Sequence, residues 1–137
     1  MEPNLTGAEL NGADLARANL PGTNLVGANL SRAVLAEAGL MSANLDSANL
    51  VRAILFRADL MWADLIGANL ARADLSGADL SEAILVGATF SGADLSTAGL
   101  TQEELEPATG DEDTRLPPDL KPPAHWNVKT DEQNEGS

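Results

Sequence analysis

The chain has 137 residues and a formal net charge of −13, from 8 basic and 21 acidic residues. It has no Cys, one His (His125) and four aromatic residues, Phe56, Phe90, Trp62 and Trp126. This excludes a disulfide framework, a thiolate metal site and a thiol nucleophile, and so acidic a chain has no bulk electrostatic attraction for nucleic acid or an anionic membrane surface.

Ala and Leu supply 45 residues, so the core must be assembled from small, uniform pieces, which points to a repeat. The opening residues, Met1-Glu2-Pro3-Asn4, lack the basic head and apolar middle of a signal peptide. No apolar run approaches the ~20 residues of a membrane span. Together with the missing Cys and the regularity of the chain, this sets the expectation of a bacterial cytoplasmic protein without membrane contact.

From Leu5 to Leu100 every fifth residue is Leu, except Phe90. Three residues after each stands Ala, from Ala8 to Ala98, except Thr23. A period of five fits no amphipathic helix, because at ~100° per residue the apolar stripe would smear around the cylinder. It fits no plain strand either, since an odd period alternates faces. Within one unit, Ala and Leu are two apart and point the same way in extended chain. The next two residues then form a corner. Four such sides close a square coil of 20 residues, and the coils stack as parallel ladders. Gly7, Gly12, Gly22, Gly27, Gly67, Gly77, Gly87 and Gly92 take the second corner position, where a type II turn needs positive φ. Where Arg, Glu, Ser or Trp stands there, a different turn is expected. Thr23 and Phe90 are expected to distort their coils.

The run Ala-(Asn/Asp)-Leu-x-x, as in Ala43-Asn44-Leu45-Asp46-Ser47, resembles the pentapeptide repeat family over residues 4–100. The resemblance implies an all-β fold, a right-handed quadrilateral parallel β-helix. Twenty units at four per coil give about five coils, a tower roughly 24 Å tall at ~4.8 Å per coil.

Residues 1–100 thus read as the β-helix and 101–110 as a C-terminal capping helix. Thr101-Gln102-Glu103-Glu104 is a capping box, with Leu105 placed to sit on the last coil and Gly110 to end the helix. Residues 111–126 read as an extended, Pro-rich acidic tail lying back along the barrel, anchored by Leu116, Leu120 and Trp126. Residues 127–137 have almost no apolar content and read as disordered. The N-terminal end carries no cap, so the first coil is expected to lie open, to pair end to end with a second copy or to be covered by a partner.

Residues twenty apart should be vertical neighbours. Arg32, Arg52 and Arg72 then form a column of like charge, which either meets an anion or acidic partner or is neutralised by Asp74 or by Asp111-Glu112-Asp113. Arg17, Glu37 and Arg57 form a column of alternating sign, read as an ion-pair ladder. Asn29, Asn49 and Asn69 should hydrogen-bond between coils. Val34, Ile54, Phe56, Met41, Met61 and Trp62 point outward as an apolar zone on two adjoining sides of the middle coils. Either the tail covers this zone, with Trp126 against Met61 and Trp62, or a partner or second copy does. Val26, Ile66 and Val86 form a thinner apolar column. Asp111-Glu112-Asp113 lacks EF-hand spacing, and the sequons at Asn4 and Asn29 read as accidents of the repeat.

A filled interior with flat sides leaves no pocket for convergent catalytic groups, so no enzyme, cofactor or metal is expected. The leading expectation is a scaffold or protein-interaction module, with Arg32, Arg52, Arg72, Ile54, Phe56, Met61 and Trp62 as contact residues. The resemblance implies one alternative, a DNA mimic that binds DNA gyrase or another type II topoisomerase. Charge weighs against it. Duplex DNA would carry about 14 charges over this height, whereas residues 1–100 hold 11 acids and 5 Arg.

Overall fold

The computed structural model describes residues 3–126. Parallel bridges join residues twenty apart, from Asn4–Asn24 through Asp79–Gly99. Each coil therefore has four sides of five residues. Face I is centred on Asn24, Asn44, Asp64 and Ile84, and face II on Asn29, Asn49, Asn69 and Thr89. Face III is centred on Val34, Ile54, Asp74 and Asp94, and face IV on Gly39, Asp59, Asp79 and Gly99.

Each corner closes with a hydrogen bond from the Ala N–H to the preceding Leu carbonyl, as from Ala8 to Leu5 and from Ala53 to Leu50, both 3.0 Å. An Asn or Asp before a Leu has a local reason. Its side-chain oxygen accepts the N–H two residues on: Asn24 from Val26 at 3.1 Å, Asp64 from Ile66 at 3.0 Å. A short polar side chain thereby satisfies the first corner residue. This corrects the expected Asn ladder. Asn29, Asn49 and Asn69 accept from Ser31, Val51 and Ala71 within their own coils. Asn29 reaches across coils to Glu9, at 3.1 Å.

The second corner residue is left-handed whether or not it is Gly. Arg32, Arg52 and Trp62 have φ of 59°, 60° and 60°, and Gly22 and Gly27 have 65°. The expectation of a different turn at the non-Gly corners is therefore wrong. The reason is the coil above. Arg32 N–H donates to Val51 C=O at 2.9 Å and Trp62 N–H to Ser81 C=O at 3.0 Å, so the ladder imposes the strained φ. Thr97 is the exception. This β-branched residue leaves the left-handed region, and its hydroxyl accepts the Gly77 N–H at 3.0 Å.

From Leu25 to Leu95 every inward Leu is at most 1 % exposed. Burying each contributes about 1.5–3 kcal/mol. Leu5, Leu10, Leu15 and Leu20 in the first coil are only partly buried. Thr23 and Phe90 do not break the ladder: Thr23 C=O accepts from Asn44 at 2.9 Å, and Phe90 N–H donates to Thr109 at 2.8 Å. Thr adds little width to an Ala position, and one coil beyond Phe90 stands Gly110 rather than another Leu.

At the C-terminal end the chain forms α1 (Gln102–Leu105). Thr101 and Glu104 cap it reciprocally, and Leu105 is fully buried. The ladder resumes at Thr109, bridged to Thr89, and at Arg115, bridged to Asp94. The following segment does not lie along the barrel against Met61 and Trp62. Leu116 and Leu120 pack on the core, and Trp126 is buried at 5 % exposure. Its indole N–H donates to Ala108 C=O at 2.8 Å. The end of the Leu shaft offers the indole both apolar cover and an acceptor, which a flat side does not. Gly110 does not end the helix either. A Cβ there would lie 2.5 Å from the Trp126 ring, so this position is kept small for the tryptophan. The expectation of disorder over 127–137 lies outside the described residues.

Candidate interaction surfaces

The register sorts the expected contact residues into two groups. Arg52, Ile54 and Phe56 occupy one coil across face III: a corner, the side's centre and the next corner. Arg32 and Val34 lie one coil before them, and Arg72 one coil after. Ile54 is 40 % exposed and Phe56 39 %. Met61 and Trp62 stand at the far end of face IV, with Asp59 and Gly39 between them and Phe56. Trp62 is 58 % exposed, so nothing among the described residues covers it. The apolar zone, expected on two adjoining sides, thus has the width of face IV between its two parts.

Among the described residues, Arg32, Arg52 and Arg72 have no carboxylate within ion-pair distance. Asp111, expected to lie beside them, instead accepts the Gly92 N–H at 3.1 Å at the top of that corner. Asp94 pairs with Arg115 at 3.3 Å. The Ser96 hydroxyl and then the Ser96 N–H hold the Asp94 carboxyl below its ordinary value; burial opposes them, and the Arg115 charge and the Ser76 hydroxyl add lesser lowering effects. The alternating column survives in part. Arg17 meets Glu37 at 3.9 Å, while Arg57 lies over the Phe56 ring, 5.1 Å from its centre. Sequence spacing carried no sign of that last contact, because neighbouring corner residues were assigned to separate columns.

A groove of about 430 Å3 opens at the top of face I, between residues 82–86 and the turn carrying α1. It went unnoticed in the sequence because it arises where α1 leaves the ladder. Among the described residues no three or more His, Asp or Glu side chains gather closely enough to hold a metal.

The pentapeptide repeat family model matches residues 4–36, 22–55 and 58–96. The chain belongs to this family, whose members are generally non-enzymatic structural or interaction proteins and whose fold is the right-handed β-helix. A pentapeptide repeat protein from the thylakoid lumen of Arabidopsis thaliana is 30% identical, with TM-score 0.72, covering 74% of this chain and 71% of that one. One from Nostoc is 34% identical, covering 82% and 77%, with TM-score 0.41. The plasmid-mediated fluoroquinolone resistance protein QnrB1 is 20% identical over 98% and 94%, with TM-score 0.38. No curated protein matches the sequence.

The first of these corrects the expected cytoplasmic location. A chain alike in fold and in repeat resides in an organelle lumen. A core of stacked Leu and Ala needs no disulfide in any compartment, so the missing Cys does not indicate one.

Proposed function

We propose that the protein is a non-enzymatic interaction module, a tower of about five coils whose face III receives an acidic, partly apolar protein partner. One observation carries this reading. Three arginines stand in left-handed geometry, unpaired among the described residues, beside exposed Ile54 and Phe56 in a chain of net charge −13. A non-Gly residue held in that region costs of order 1–3 kcal/mol, so glycine would serve the fold better at all three positions. Met61 and Trp62 form a second, smaller contact at the next corner but one. The same arginine column disfavours the gyrase-binding alternative, because it sets positive charge along one edge of a surface that should imitate DNA. The filled Leu shaft supports the absence of catalysis.

The test separates folding from binding. Replacing Arg32, Arg52 and Arg72 together by Gly should leave thermal stability equal or raise it, while a partner recovered by cross-linking to the wild type is lost. Phe56→Ser should weaken that same complex without lowering stability. A triple variant that binds as the wild type does, or that unfolds earlier, would overturn the reading.

A further inference from the structure

The coil spanning residues 78–95 has four sides, and three are met by the chain beyond. Leu80 N–H donates to Gly99 C=O at 2.8 Å, Phe90 N–H to Thr109 C=O at 2.8 Å, and Leu95 N–H to Arg115 C=O at 2.7 Å. Gly99, Thr109 and Arg115 return the bond, donating to Ala78, Ala88 and Ala93. The side on face I differs. The residue due to bridge it is Glu104, and α1 takes Glu104 away: its N–H bonds the Thr101 hydroxyl at 3.1 Å. Ala83 C=O and Leu85 N–H are left without a partner among the described residues. One coil earlier, the equivalent groups of Ala63 and Leu65 are both taken by Ile84, at 2.9 Å each.

Val86 N–H is unpaired for a second reason. In the coil before, Ile66 N–H is met by the Asp64 side chain at 3.0 Å, but Ile84 has no oxygen to offer. The gap therefore presents one acceptor and two donors along four residues. These residues line the 430 Å3 groove together with Glu82, Thr101, Glu103, Glu104 and Pro107. Ile84 and Val86 are 46 % and 52 % exposed, and the groove's lining holds no basic residue. Glu104 is already occupied, accepting from Glu82 N–H at 2.6 Å and Thr101 N–H at 2.8 Å. Glu82 and Glu103 remain exposed carboxylates on the rim.

We infer that this gap is a strand-addition site, which takes one short extended segment of a protein partner carrying a basic residue followed by two alternate apolar residues. An unpaired backbone edge is completed by another chain's backbone, and alternate side chains then set specificity. Here the central residue of the incoming segment donates to Ala83 and accepts from Leu85, as Ile84 does one coil earlier. Its side chain stacks on Ile84, the residue two further on stacks on Val86, and the residue two before meets Glu82 and Glu103. The inference goes beyond face III and shares no residue with it, so either can fail while the other stands.

The experiment is a 15N NMR titration of the full chain with the peptide acetyl-Lys-Ala-Val-Ala-Val-amide. The same peptide N-methylated at its central Val serves as control. Shifts should concentrate at residues 82–87 and 101–107, with Leu85 among the largest. N-methylation removes the proton given to Ala83 and should weaken binding at least ten-fold, as should Glu82→Lys in the protein. In the free chain the Leu85 amide should exchange with solvent at least ten-fold faster than those of Leu80 and Phe90. Equal protection of the three amides in the free chain would mean that the edge is already filled, and would overturn the proposal. So would equal binding of the two peptides, or shifts that bypass Leu85.

Discussion

Leu45, Leu65 and Leu85 follow one another in a single column, each delivered by the same side and the same corner, and Leu45 and Leu65 by the same ladder bonds. Leu105 fills the next place in that column, but it arrives from a helix, and the chain keeps the column while abandoning the ladder. The core can therefore continue without the sheet. Apolar burial asks only that a side chain of suitable size reach the shaft, whereas the ladder asks for backbone in one conformation at one position. Where the two part, at Ala83 and Leu85, polar backbone is left unmatched. Past Thr109 the ladder returns, and Trp126 closes the end that a further coil would otherwise have covered.

This contrast can be tested from both sides. Trp126→Ala removes the closure and should have the largest effect, about 4 kcal/mol, by the usual range for a buried tryptophan. Chemical denaturation measures it, and a loss below about 1 kcal/mol would show that the end needs no cover. Leu65→Ala opens a cavity in the middle of the shaft and should cost about 3 kcal/mol. Leu5→Ala, in the partly buried first coil, should cost clearly less. Equal losses at the two positions would contradict a burial gradient along the column.

A smaller effect has the opposite sign. The Thr23 hydroxyl is fully buried with no hydrogen-bond partner among the described residues. Thr23→Ala restores the repeat and removes that penalty, and should stabilise by about 1 kcal/mol, read as a rise in melting temperature. The smallest effect concerns pH. Asp94 has a folded pKa below its ordinary 3.8. Its contribution is therefore present above that value and fades as pH falls through the lower, folded one. The melting temperatures of wild type and Asp94→Asn should differ slightly at pH 6 and converge in acid. A gap that persists at pH 2 would assign the effect to shape rather than charge.

Much of the fold was legible because the repeat is strict. Leucines five apart, with Ala two before each, admit one arrangement in which all of them face inward, and the bridges between residues twenty apart follow from it. The recurrent Asn or Asp before Leu was visible as a pattern, but not its role. Whether such a side chain bonds along its own coil or across to the next depends on distances that spacing does not supply. The corners at Arg32, Arg52 and Trp62 were misjudged for a related reason. Local preference alone steers a non-Gly residue away from positive φ, and only the carbonyls of the coil above hold it there.

That the outward apolar residues stand on two adjoining sides was legible; how far apart they lie on those sides was not. Phe56 and Trp62 are six residues apart in sequence, yet a whole face separates them. Arg52 and Phe56 are four apart and share one.

Residues 5–100 by themselves determined the coil, its register and the content of the shaft, because a five-residue code repeated without interruption leaves each side chain one direction to point. After Leu100 the sequence marked the caps of α1 and the inward Leu105, and the tertiary structure decided the path of the chain beyond them. There the code stops, and the path is set by competition among the caps of α1, the open end of the core and the carbonyl of Ala108. Those groups lie far apart along the chain and meet only once the coils have stacked.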